Sequence, residues 1–206
     1  IKAVAERVKA EVDRGSEVAV VVSAMSGTTN QLVDWAVSAA PSHDAREYDT
    51  VLAAGEQITA GLLALSLQTL GINARSWLGW QLPLRTDDSH GKARIMEIEV
   101  ARLFKNMEKG CVPVIAGFQG INPYRRITTL GRGGSDASAI MIAQFFKAEK
   151  CIIYTDVEGV YTTDPRMIRD SKKIKVISYE EMLEMSSLGA KVMQPISIPV
   201  SYTHLT

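Results

Sequence analysis

The sequence predicts an α/β fold in three layers, a mostly parallel central sheet with helices covering both faces. Three observations carry this. Short apolar runs rich in β-branched residues, residues 18–22 first among them, are the mark of strands buried on both faces. Longer stretches between them place apolar residues at helical spacing. The two kinds of segment alternate along the chain, as they do where helices cross between parallel strands.

Taken in order, Ile1, Val4, Ala5, Val8 and Val12 recur at helical spacing, and Arg14-Gly15-Ser16 ends that helix. Residues 18–22 follow as a strand and 23–30 as a small polar turn. Leu32, Val33, Ala36 and Val37 mark a helix that closes near Pro41. Residues 48–70 read as a long helix, interrupted at Gly55-Glu56 and stopped by Gly71. Residues 73–78 suit a strand, 79–92 a loop with Pro83 and Asp87-Asp88, 100–109 a helix, and 112–118 a strand. Residues 119–129 suit a hairpin with Asn122-Pro123 at its tip. A glycine-rich loop over 131–136 precedes an apolar helix over 138–147. Residues 151–155 read as strand and 156–169 as a long loop. Ser178-Tyr179-Glu180-Glu181 is a capping box that opens a helix.

Composition narrows the class. The 206 residues are 46% hydrophobic and 22% charged, the balance of a globular chain long enough to bury a core without staples. Length alone fits one large domain or two small ones. Lys+Arg 23 equals Asp+Glu 23, so net charge lends no support to a nucleic-acid or anionic-membrane partner. No apolar run reaches membrane-spanning length and no basic-then-apolar leader opens the chain, so a cytoplasmic protein is expected. Cys111 and Cys151 open apolar runs and are expected as buried free thiols; a lone bridge is the other reading. His43, His90 and His204 fall in no motif and are expected on the solvated surface.

Two stretches carry chemistry. Leu130-Gly131-Arg132-Gly133-Gly134-Ser135-Asp136 puts three glycines within four positions, so backbone can approach a ligand closely. The N–H groups of the following helix make an anion site, and Arg132 adds a planar fork suited to a carboxylate or phosphate. Asp136 opposes phosphate by charge and fits a helix anchor, or a group that orients a cation beside phosphates. The loop is neither a Walker P-loop nor a dinucleotide fingerprint. Ligand loop and capped strand-to-helix turn both stay open. In the second stretch, residues 154–166, Thr155-Asp156 ends a strand, and beyond it stand Tyr161 and Arg166. These residues suit a base and phosphates beyond the carboxyl end of a strand, or an ordinary Asp-Pro turn with a packed tyrosine.

Together with Val-Val-Ser-Ala-Met-Ser-Gly-Thr-Thr-Asn (21–30), Ala-Gly-Glu (54–56), Ala-Gly-Phe-Gln-Gly (116–120), Thr-Leu-Gly-Arg-Gly-Gly-Ser-Asp (129–136), Tyr-Thr-Asp-Val-Glu-Gly-Val-Tyr (154–161), Asp-Pro-Arg (164–166) and Gly-Ala-Lys-Val (189–192), the sequence resembles the aspartate kinases of the amino-acid-kinase superfamily. The motifs stand in that family's order and spacing over about residues 1–195. The resemblance implies the carbamate-kinase-like αβα sandwich, with 1–130 as amino-acid lobe and 131–195 as nucleotide lobe. It implies transfer of the ATP γ-phosphoryl group to the side-chain carboxylate of L-aspartate, opening the route to lysine, threonine and methionine.

Carried over residue by residue, the resemblance places aspartate on Ser23, Ala24, Thr29, Glu56, Phe118, Arg132 and Ser135. Arg132 would hold the substrate carboxylate and Glu56 the α-ammonium. Nucleotide falls to Thr155, Asp156, Tyr161, Arg166 and Lys191, with Asp136 and Lys191 in catalytic roles. Mg²⁺ comes on the nucleotide phosphates, no residue is assigned as a metal ligand, and the full-length protein is expected to be a homo-oligomer. A carboxylate is an adequate nucleophile at neutral pH, so the reaction asks for positioning and cations in place of a strong base.

The resemblance also implies a domain truncated at both ends. The family opens with a strand ending in Lys-Phe-Gly-Gly, for which Lys2-Ala3-Val4 is no substitute, and residues 196–206, with Pro199, match nothing in its onward helix and regulatory domains. They read as a non-native tail, and the chain alone is expected to be weak or inactive. The competing readings are a same-fold kinase for another small carboxylic acid and a catalytically dead nucleotide-binding fragment.

Overall fold

Thirteen elements build the fold among the described residues, which are 1–131, 133–155, 159–163, 168 and 170–187 of a computed structural model. They run α1 (Lys2–Asp13), β1 (Val20–Val22), α2 (Thr28–Ala39), α3 (Ala45–Thr69), β2 (Ala74–Trp77), β3 (Leu84–Thr86), β4 (Ile95–Ile98) and α4 (Ala101–Met107). Then come β5 (Val112–Ala116), β6 (Gln119–Ile121), β7 (Ile127–Thr129), α5 (Gly134–Phe145) and α6 (Tyr179–Ser187). The chain divides into two compact units, Ile1–Ala139 and Ile140–Thr206.

In the first unit the apolar runs make a parallel sheet in the order β1-β5-β2. β5 is central and all five of its residues are buried, so both its faces are covered. On one face Val112, Val114 and Ala116 meet Ala5 and Val8 of α1 and Ala60, Leu63, Ala64 and Leu67 of α3. Burial of side chains the size of Leu63 and Leu67 contributes roughly 1.5–3 kcal/mol each. α3 is the spine of this unit. The side chain of Asp44 caps its start by accepting from the Arg46 N–H at 2.8 Å. The Arg46 guanidinium holds that carboxyl well below the usual carboxylate range. At the other end Gly71 takes a φ of 80°, with Gly71 N bonded to Gln68 O and Ile72 N to Leu67 O, the paired bonds of a Schellman stop. α3 has the length and apolarity of a membrane span, but half of that stretch is packed inside the protein.

A second, mixed sheet runs β4-β3-β6-β7. Gly120 of β6 lies between β3 and β7, and a Cβ there would meet Leu84 O at 2.5 Å and Thr86 Cγ2 at 2.6 Å. Across that gap the buried hydroxyls of Thr86 and Thr128 bond at 2.6 Å. The second unit begins within α5, where Met141 and Ile142 are buried. It continues with an antiparallel bridge, Tyr161 to Lys173, and the capped helix α6. The predicted capping box is present: Glu181 accepts from Ser178 N at 2.9 Å and Ser178 Oγ accepts from Glu181 N at 3.2 Å.

Several expectations are corrected. α3 is not interrupted at Gly55-Glu56, because Gly55 sits inside the helix where a missing side chain lets another segment approach. Residues 79–92 are not all loop: β3 forms there, since pairing with both β4 and β6 supplies what three residues cannot supply locally. α5 starts at Gly134, four residues before the expected 138. Residues 151–155 are not a strand; Ile152 and Tyr154 are more than half exposed and lack the two-sided burial that a central strand requires. Cys151 is exposed, while Cys111 is buried as expected, and no disulfide joins them.

The Gly120 contacts yield a test. Gly120→Ala forces the β3 carbonyl away and is expected to destabilise the protein by about 1–3 kcal/mol, read as an earlier urea midpoint at unchanged slope.

Candidate functional site

β1 and β5 are paired parallel strands that end side by side, Val22 opposite Ala116, so the segments after them leave the same edge of the sheet. Ser23 and Ala24 follow the first, Gly117 and Phe118 the second, and the Gly117 N–H donates to Val22 O at 3.0 Å. In open α/β sheets this edge is where ligands bind.

α3 brings Glu56 to that edge. Its Oε1 accepts from the Ala24 N–H at 2.9 Å, and its Oε2 is buried with no hydrogen-bond partner among the described residues. Gly55 makes the approach possible, for a Cβ there would stand 2.8 Å from the Cβ of Ala24. Burial pushes the Glu56 carboxyl up to about 6, against the pull of the Ala24 N–H. Gln119 fixes the same stretch of α3 from the other side: its amide donates to Ala53 O at 3.0 Å and accepts from Gln57 Nε2 at 3.0 Å.

The glycine-rich loop closes the edge. A Cβ on Gly134 would meet Phe118 Cδ2 and Leu130 Cβ at 2.8 Å, and one on Gly117 would meet the Cα and Cβ of Ser135 at 3.1 Å. These glycines let the first turn of α5 lie directly on the segment after β5. Phe118 adopts a φ of 65°, fixed by its N–H donating to Ser138 Oγ at 3.1 Å and its carbonyl accepting from Leu130 N at 2.9 Å. Asp136 is in that first helical turn, half-buried, and burial raises its carboxyl above the usual range.

Of the residues singled out from sequence, Ala24, Glu56, Phe118 and Ser135 are tied to this edge by these contacts. Ser23 is exposed just beyond β1, and Thr29 is exposed in the first turn of α2. Thr155 and Tyr161 belong to the second unit, Tyr161 in the bridge to Lys173. Arg132, Asp156, Arg166 and Lys191 lie outside the described residues.

The sequence reading gives no site role to Gly55, Gln119, Ser138 or Asp49. It also misplaced one histidine. His90 is not on the solvated surface: its side chain is only 9% exposed, and Nδ1 is 2.6 Å from the fully buried carboxylate of Asp49. Sequence carries no sign of this, since the two residues stand 41 positions apart. His43 is exposed and stacks on Tyr48, and His204 lies outside the described residues.

Known proteins bear out the resemblance. An aspartokinase of Geobacillus stearothermophilus is 49% identical over 198 residues, 96% of this chain and 49% of that protein. The crystal structure of an aspartate kinase from Synechocystis superposes with a TM-score of 0.86 at 41% identity, covering 98% of this chain and 33% of that one. Aspartokinase III of E. coli, solved in complex with aspartate and ADP, superposes with a TM-score of 0.76 at 30% identity, over 85% of this chain and 40% of that one. The chain spans about half the length of the curated relatives it matches. The amino acid kinase family matches residues 1–200, which with the parallel sheet and its glycine-rich edge establishes that the chain belongs to that family.

Proposed function

We propose that this chain is the catalytic part of an aspartate kinase. L-Aspartate binds at the edge built by Ala24, Glu56, Phe118 and Ser135, and its side-chain carboxylate takes the γ-phosphoryl group of MgATP. One observation carries the reading: Glu56 keeps one carboxylate oxygen bonded to backbone and the other buried without a partner among the described residues. A buried unpaired acceptor is costly unless a donor arrives, and an α-ammonium group offers charge and protons together. The similarity to aspartokinases supports the choice of amino acid.

In this reading an aspartate side-chain oxygen attacks the γ-phosphorus, the bond to the β-phosphate oxygen breaks, and ADP leaves with that electron pair. The product is the acyl phosphate 4-phospho-L-aspartate. No proton moves, so the protein's work is placement and charge compensation. Ser23 and Thr29 border the amino acid, Glu56 holds its ammonium group, and Arg132 its α-carboxylate. Asp136 and Lys191 organise the transferring group, and Thr155, Asp156, Tyr161 and Arg166 bind nucleotide. Residues 1–130 then form the amino-acid lobe and 131–195 the nucleotide lobe. The magnesium ion is part of the nucleotide substrate. The product feeds lysine, threonine and methionine synthesis, and we place the enzyme in the cytoplasm as a homo-oligomer. Hydroxylamine tests the chemistry: with L-aspartate and MgATP it should trap the acyl phosphate as a hydroxamate while ADP accumulates. ADP release with no hydroxamate would refute carboxyl phosphorylation.

Glu56 sets two pH dependences. An ammonium group needs its charged form, so kcat/KM for aspartate is expected to fall below about pH 6, close to tenfold per unit. Glu56→Gln should lose that limb and raise the aspartate KM. In the free protein the carboxyl rises from 4.5 to about 6, so between those values the folded state binds more protons than the unfolded state. Stability therefore falls as pH rises through this window and is level above it. The difference in unfolding free energy between the native protein and Glu56→Gln should move in favour of the variant by about 2 kcal/mol across the window. Urea unfolding at both ends checks this.

Arg132→Lys keeps the charge and loses the planar fork. It is expected to raise the aspartate KM roughly ten- to hundredfold and to leave the ATP KM nearly unchanged. Titrating each substrate against a saturating level of the other separates the two effects, and the reverse pattern would exchange the site assignments.

A further inference from the structure

Asp49 lies seven positions before Glu56 on α3, two helical turns away on the same face. It is fully buried, and three groups outside α3 donate to it. Thr129 Oγ1 reaches Oδ1 at 2.6 Å, Gly91 N reaches both oxygens at 3.1 Å, and His90 Nδ1 is 2.6 Å from Oδ2. Since backbone and hydroxyl donors already converge on this carboxylate, the proton of the short contact belongs to the imidazole.

The far side of the ring is also specified. Among the described residues His90 Nε2 is buried without a hydrogen-bond partner, 3.6 Å from Asp88 Oδ1, and Asn122 Nδ2 donates to that same oxygen at 2.5 Å. The loop that carries the ring is closed by Asp87, which accepts from the Ser89 and Arg94 N–H groups at 3.1 Å. His90 thus stands between Asp49 of α3 and Asp88, which Asn122, between β6 and β7, holds in place.

These bonds end on the root of the glycine-rich loop. Thr129 donates its hydroxyl to Asp49, and its carbonyl accepts from Ala93 N at 2.9 Å. A Cβ on Gly131 would stand 3.2 Å from Gly91 O, so the backbone of residue 91 abuts that of residue 131. Arg132 is the next residue in the chain.

We propose that Asp49 and His90 form a positioning pair that sets the glycine-rich loop relative to α3, and so fixes the span between the groups that hold the two ends of the amino-acid substrate. The inference rests on the aspartate kinase reading for the identity of that substrate. One helix then serves both ends: Glu56 meets the ammonium group directly, and Asp49 registers the loop bearing Arg132. His90 acts through Asp49 and Gly91, and its effect falls on affinity for the amino acid. A displacement of about 1 Å in such a group is enough for a large loss.

The test uses the intact enzyme with His90→Ala and His90→Asn, the second of which keeps an amide N–H near the position of Nδ1. His90→Ala is expected to raise the aspartate KM roughly tenfold or more, with the ATP KM within about twofold. His90→Asn should recover most of the loss. Amide hydrogen exchange without substrate should be faster at Leu130 and Gly134 in His90→Ala. A merely structural histidine would lower the active fraction and leave the aspartate KM and those amides unchanged, and that result would overturn the proposal. Equal damage from Asn and Ala would also overturn it. If His90→Ala does not fold, Thr129→Val removes another donor to Asp49 and is measured the same way. Hydrogen exchange reads the positioning pair whatever the substrate is, whereas a native enzyme that turns over no aspartate would count against the aspartate reading alone.

Discussion

A carboxylate held out of water with one oxygen satisfied and the other open is a standing cost to the fold, and among the described residues Glu56 is such a group. Much of the first unit is arranged to keep it there. α3 must pass close under the segment after β1, which requires glycine at 55. The helix must not rotate, and Gln119 grips it at Ala53 and Gln57. Its start is capped by Asp44 and its end stopped at Gly71. The apolar face of α3 supplies the free energy against which the polar group is buried, through Ala60, Leu63, Ala64 and Leu67 on the parallel sheet.

The same helix carries a second buried carboxylate with the opposite character. Asp49 has three donors and is fully satisfied, so it acts as a fastening between helix, loop and β7. Glu56 has an acceptor to spare. Two acids on one face of one helix are thereby divided between structure and binding by the number of donors each receives. Geometry makes this division, for both residue types have the same chemistry in isolation.

Much of this was legible in sequence where the signal is local. The strands within residues 18–22 and 112–118, observed as Val20–Val22 and Val112–Ala116, the capping box at Ser178 and the stop at Gly71 follow from neighbours along the chain. The glycine-rich stretch announced a close backbone approach, and Gly131 and Gly134 make one. Non-local contacts were not legible. Gly55 looked like a break in a helix because its reason is Ala24, 31 positions earlier. His90 looked like a surface residue because its partner is on another element. β3 is too short to declare itself and exists by pairing on both sides. Glycines hide the helix start within the loop expected over 131–136, and the first turn of α5, with Ser135 and Asp136, is held by packing on Phe118 and Gly117.

The central claim is that Glu56 waits for an ammonium group. Carbon NMR of glutamate-labelled protein, with Glu56→Gln to assign the resonance, follows the titration of this carboxyl directly. Without ligand it should titrate at about 6. With saturating L-aspartate the midpoint should drop below that of the free protein by about a unit or more, because a bound cation favours the charged form. With succinate, which lacks the ammonium group, it should not drop. A midpoint that L-aspartate leaves unchanged would contradict the account.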